Sequence, residues 1–184
     1  QHAVPFQIVT KFSDFEKIKD GTYILISFYY LKKHKKQFKN IIKQKGNNVA
    51  LLFDESDEIT DHSSSNTKMV LNLFRRAKRK LLTTGTTTRN NIAELYSQLE
   101  LMFNNSYNFI DNCPIEYTES KDKDTKEIKV IPRENNNYKK PFKARGGNPQ
   151  FKRCFNPSKT TVFGVQKHNQ KIYNAEAISQ LIGS

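Results

Sequence analysis

Long apolar runs are missing from this chain of 184 residues: none approaches the roughly 20 consecutive residues that cross a bilayer, and the N-terminus has no signal-peptide pattern. The reading is a cytoplasmic protein with no membrane partner. Cysteine is nearly absent. Cys113 and Cys154 are far apart in sequence and belong to no Cys-x-x-Cys or Cys/His cluster, which argues against zinc and for two reduced thiols. His2, His34, His62 and His168 are equally scattered, so no metal-ligand role is assigned to them. Apolar residues make up only 36% of the chain and mean hydropathy is -0.74, so part of it should be loop or weakly ordered. The length suits one domain, or one domain with an appendage.

Acidic residues are also short: 18 Asp and Glu stand against 31 Lys and Arg, a formal charge of +13. A surplus of that size suits a polyanion, nucleic acid first among them. A compositionally biased genome, rich in Lys and Asn codons, would produce the same balance.

What is present is a repeating β-α order. Phe6 to Thr10 reads as a strand, Ser13 to Glu16 has capping-box spacing, and Thr22 to Phe28 reads as a strand buried on both faces. Leu31, Phe38, Ile41 and Ile42 recur at helical spacing among Lys32, Lys33, Lys35, Lys36 and Lys39, whose ammonium groups read as a wet face. Asn48 to Phe53 is a third strand. A helix follows, with caps among Ser63 to Asn66 and an apolar face of Met69, Val70, Leu73, Phe74 and Ala77. It ends in Arg75 to Lys80, read as a solvated helix end. Leu81 and Leu82 open a fourth strand, and Asn91 to Glu94 caps a helix with Ile92, Leu95, Leu99 and Met102 as its buried stripe. This order predicts an α/β fold with a parallel sheet flanked by helices. Residues 111–161, rich in Pro, charge and Asn, predict an irregular basic segment; a strand at Thr161 to Val165 and a helix at Ala175 to Ile182 close the chain.

The third and fourth strands end in polar clusters, Asp54-Glu55-Ser56-Asp57 and Thr83-Thr84-Gly85-Thr86. Parallel strands bring such ends to one rim, where open α/β sheets collect ligands. There Asp54 can hold magnesium through water and Glu55 can orient or deprotonate an attacking water. Gly85 allows a tight turn, and the Thr84 and Thr86 hydroxyls can sense a terminal phosphate.

The full strings carry a resemblance. Leu51-Leu-Phe-Asp-Glu-Ser-Asp57, a helix, and Lys80-Leu-Leu-Thr-Thr-Gly-Thr-Thr-Thr-Arg-Asn-Asn-Ile-Ala-Glu-Leu-Tyr96 resemble motifs II and III of the Swi/Snf-like ATPases of helicase superfamily two. Tyr23-Ile-Leu-Ile-Ser-Phe-Tyr-Tyr-Leu31 looks like the family segment that touches the DNA backbone, which implies such a role for Ser27. The resemblance covers residues 6–110. It implies ATP and Mg2+ as cofactors of the intact parent, coupling through Thr84, Gly85, Thr86, Arg89 and Asn90, backbone contact with DNA, and a remaining helicase lobe as partner. Motif II has Asp57 where the family usually has His, and motif III has Thr83, Thr87, Thr88 and Arg89 at positions where it prefers Leu, Pro, an aliphatic and Gln. No Gly-Lys dipeptide occurs, so the phosphate-gripping Walker A loop is absent.

The expectation is therefore a truncated RecA-like (P-loop NTPase-type) fold: residues 1–110 as part of a first helicase lobe, and 111–184 as a basic segment leading towards the second. The chain starts at Gln1 without Met and reads as an excised piece of a bacterial or mobile-element translocase, with no ATP or metal expected on the fragment alone. Two alternatives are a catalytically inert RecA-like scaffold that binds nucleic acid, and an unrelated phosphotransfer domain with a carboxylate metal site. Tyr138 to Arg153 interleaves cations and aromatics, which suits either strand binding through Lys140, Lys143, Arg145, Lys152 and Arg153 or an ordinary solvated loop.

Overall fold

The computed structural model describes residues 5–45, 48–86, 91–103, 113–125, 128–136, 138, 147–157, 159–162, 165–168 and 171–183. Strand β1 (Phe6–Ile8) pairs in parallel with β2 (Tyr23–Leu25), and β3 (Ala50–Phe53) in parallel with β4 (Arg79–Leu82). Among the described residues these remain two separate two-stranded pairs rather than the single parallel sheet the β-α order predicts. A pair of strands has little stability in water alone. Each leans on helices instead, through Ile24, Leu51, Phe53 and Leu82, which pack against a core built from Leu31, Phe38, Met69, Val70, Phe74 and Leu101. The other face is bare: Phe6, Ile8, Tyr23, Leu25, Leu52 and Leu81 are 51–65% exposed.

Local chemistry decides where the elements start. The strand expected through Phe28 stops at Leu25, because the Ser27 hydroxyl accepts from the Tyr30 N–H and opens α1 (Phe28–Lys33). Helix α2 (Lys35–Lys45) follows at once. The expected Ser13/Glu16 box is replaced by Asp14, whose carboxylate accepts from the backbone N–H groups of Thr10 and Lys11 at the start of the 3-10 helix Phe12–Lys17. Those bonds, Thr10's first, hold the Asp14 carboxyl below the usual range. Ser64 caps α3 (Ser65–Phe74), and Asn91 caps the 3-10 turn Ile92–Glu94 that leads into α4 (Leu95–Phe103).

The described residues between 113 and 161 form more regular structure than their composition predicts. Strands β5 (Ile115–Lys121) and β6 (Ile128–Glu134) form an antiparallel hairpin, and α5 (Asn148–Phe155) packs on it. Helix α5 opens at Gly147, where φ is +60° and an added Cβ would lie 3.2 Å from the Tyr96 hydroxyl, so both conformation and space favour glycine. The strand expected at Thr161 to Val165 is instead a second hairpin, β7 (Lys159–Val162) with β8 (Val165–His168), and α6 (Ala175–Gly183) ends the described chain.

A second core joins Leu95, Tyr96 and Leu99 of α4 to Cys113, Phe151, Cys154, Phe155 and Ile178. Helix α4 therefore lies between two cores. The single buried stripe expected for it is wrong: every residue from Leu95 to Leu101 is buried. The two cysteines, distant in sequence, meet here. The Cys154 thiol hydrogen-bonds that of Cys113 and, with burial, pushes the Cys113 pKa far up.

Candidate nucleotide site at the β3 and β4 ends

Strands β3 and β4 stop on the same rung. Phe53 faces Leu82, and the ladder runs one step further: the Thr83 N–H donates to the Phe53 carbonyl (2.9 Å) and the Ser56 N–H to the Thr83 carbonyl (3.0 Å). This brings the acidic tetrad beside the Thr-Gly turn. The Thr83 hydroxyl donates to Asp54 Oδ1 at 2.8 Å, and the Glu55 N–H reaches the same oxygen at 3.1 Å. Both bonds load one oxygen of an exposed carboxylate.

Glu55 is exposed and left-handed, with φ 52° and ψ 54°. A non-glycine residue pays for that conformation, and such strain gathers at functional positions. It sets Glu55 off the strand while the next residues turn inward. Ser56 is fully buried and donates to Gln98 Oε1 of α4 (3.3 Å), and Asp57 is also buried. The tetrad is thus two exposed carboxylate residues followed by two buried anchors.

In the facing turn, the Thr84 hydroxyl accepts from the Thr86 N–H (3.1 Å) and donates to the Thr86 carbonyl (3.0 Å), so the turn closes on itself. Gly85 does not use glycine's left-handed freedom, and an added Cβ would meet nothing within 4 Å. Arg89 and Asn90 lie outside the described residues, as do Lys140, Lys143 and Arg145. Ser27 serves as the α1 cap. Lys152 and Arg153 are half-buried on α5, where Arg153 Nε donates to Glu116 (3.2 Å) and its Nη2 to Gln150, clamping α5 to the hairpin.

Two interactions of the β3–β4 pair escape a sequence reading. Thr83, a departure from the motif, is the threonine that meets Asp54; only the shared rung of β3 and β4 could have marked it. Lys80 is not part of a solvated helix end. It sits on β4 and donates to the carbonyls of Arg75 (2.7 Å), Leu101 (2.6 Å) and Met102 (3.2 Å), closing the ends of α3 and α4, and burial lowers its pKa.

For magnesium, Asp54 offers a carboxylate oriented by two donors at a strand end, the kind of hard oxygen ligand that ion takes. Among the described residues no three His, Cys, Asp or Glu side chains gather as a metal site. Asp54 is the carboxylate that would hold such an ion here.

The family profile of the SNF2-related domain matches residues 8–135, more than two thirds of the chain. The chain belongs to the SNF2-related domain family. The Swi/Snf-like resemblance seen in motifs II and III is borne out, and the match runs past residue 110 through the β5–β6 hairpin. Membership makes the chain part of a helicase-superfamily protein of the ATPase type. A search of the curated proteins finds no significant match. No helix among the described residues is long and apolar enough to cross a membrane.

Proposed function

We propose that these residues form part of the ATP site of a DNA-dependent translocase, the part that handles metal and water. The single observation carrying this reading is the Thr83 to Asp54 hydrogen bond at 2.8 Å, which ties motif III to motif II at one strand end. In this role Asp54 would hold magnesium through water, and the ion, when bound, would supply charge neutralisation for the phosphates. Glu55, exposed beside it, orients the attacking water and takes its proton. Movement of the Thr83–Gly85 turn reaches Asp54 directly and the buried Ser56–Gln98 contact through the backbone. In this reading the DNA backbone is contacted by Ser27 and by the cations Lys140, Lys143, Arg145, Lys152 and Arg153, the last of which would have to give up its bond to Glu116.

The 184-residue chain by itself neither binds ATP tightly nor hydrolyses it, since it has no Gly-Lys phosphate loop to offset two carboxylates. The bare apolar face of the strand pairs supports the same reading, because parallel strands are ordinarily covered on both faces. The lack of that loop equally favours a second reading, an inert RecA-like scaffold that binds nucleic acid. ATP hydrolysis by the full-length protein, with and without duplex DNA, separates the two. Glu55→Gln is expected to lower DNA-stimulated turnover by about 10²- to 10⁴-fold. Near-normal turnover in that variant overturns the role of Glu55, and no turnover in the wild type supports the scaffold.

A further inference from the structure

We infer that α2 carries a track for the phosphate backbone of duplex DNA, formed by Lys35, Lys36, Lys39 and Lys43. Around an α-helix, at about 100° per residue, these four fall within an arc of about 100°. Phe38, Ile41 and Ile42 take the core-facing arc, with Phe38 buried and the two isoleucines half-buried, and Gln37, Asn40 and Gln44 take the third. A Lys- and Asn-rich composition would scatter lysines and amides over the whole wet face. Here four of the five lysines of α2 are segregated from the amides, and the fifth, Lys45 at the helix end, lies off the track.

Three further features are costs that helix stability alone does not explain. Residues 28–45 contain no Asp or Glu. Lys35 and Lys36 occupy the first turn of α2, which has no acidic residue, so they oppose the helix dipole. Lys35 and Lys39, then Lys39 and Lys43, are like charges at the repulsive i, i+4 spacing. Among the described residues none of the four makes an ion pair; the neighbouring Lys45 is the one matched to an acid, Asp20, at 2.6 Å. Lys35 to Lys43 spans about 12 Å of helix, a length over which duplex DNA presents about seven phosphates. An uncompensated linear array of cations fits that partner. The inference concerns electrostatic binding and stands apart from the ATP site.

The test is fluorescence anisotropy of a random-sequence duplex with the 184-residue chain, between about 50 and 200 mM salt. Replacing all four lysines (K35Q/K36Q/K39Q/K43Q) is expected to make the slope of log affinity against log salt shallower by about 3 to 4, at about 0.9 for each phosphate no longer neutralised. The same variant should melt no lower than the wild type, because the replacements relieve repulsion; this separates a weakened interface from an unfolded chain. An unchanged slope overturns the inference, as does a K140Q/K143Q/R145Q variant that removes the whole salt dependence. Tighter binding of poly-glutamate than of duplex at matched charge also overturns it, in favour of an acidic protein partner.

Discussion

At the scale of single residues, the site depends on one backbone conformation and one hydroxyl. Glu55 holds φ at 52°, a conformation that costs an L-residue about 1–2 kcal/mol. Glu55→Gly should therefore raise stability by about 0.5–1 kcal/mol, even as it removes the carboxylate. Urea denaturation of the 184-residue chain checks this, and a drop in stability would mean that Glu55 makes stabilising contacts outweighing its strain. Such a split between stability and function is expected where a strained residue serves chemistry. Asp54 and Glu55 were legible as candidate site residues, since an acidic pair after a buried strand is a local pattern. Thr83 was not, because its importance comes from a register shared with a strand 29 positions away.

At the scale of elements, Lys80 and His62 connect pieces whose own sequences do not mention each other. Lys80 on β4 satisfies three carbonyls at the ends of α3 and α4. Lys80→Met should cost about 2–3 kcal/mol, chiefly by leaving partly buried carbonyls without a donor. Chemical denaturation reads the change, and hydrogen exchange should show fraying at Arg75 and Leu101 first. His62 packs edge-on against Tyr96 of α4 at 4.9 Å and faces the Ser97 hydroxyl at 3.4 Å. Burial, then the cations Lys152 and Lys68, lower its pKa from 6.5, with Asp61 opposing. The unfolded chain thus takes up the proton first as pH falls. Stability contributed by neutral His62 is complete above the unfolded value, declines as pH drops below about 6.5, and levels off beneath the folded value. Melting temperatures of the wild type between about pH 7.5 and 5 should fall more steeply than those of His62→Gln.

At the scale of the whole molecule, two cores share α4, and each of the two parallel strand pairs leaves one face open. Leu25, Leu52 and Leu81 point away from the helices and are more than half exposed. The triple change Leu25→Ser, Leu52→Ser and Leu81→Ser should slow concentration-dependent association of the isolated chain, measured by light scattering. Its melting temperature should move little, as the positions contribute little burial to either core. A marked drop in melting temperature would show that this face is covered after all. The sequence by itself determined the β-α order, a cap within Ser63 to Asn66 and another at Asn91, and both halves of the candidate site, because caps, periodicity and strand-end motifs act within a few residues. It also marked the family through strings that lie within one stretch. Only the tertiary structure decided that β3 and β4 end on one rung, that Cys113 meets Cys154, that Lys80 closes two helices, and that α4 is buried all round. Those outcomes depend on contacts between distant segments, and the energy that selects them is packing and burial, which no local pattern records.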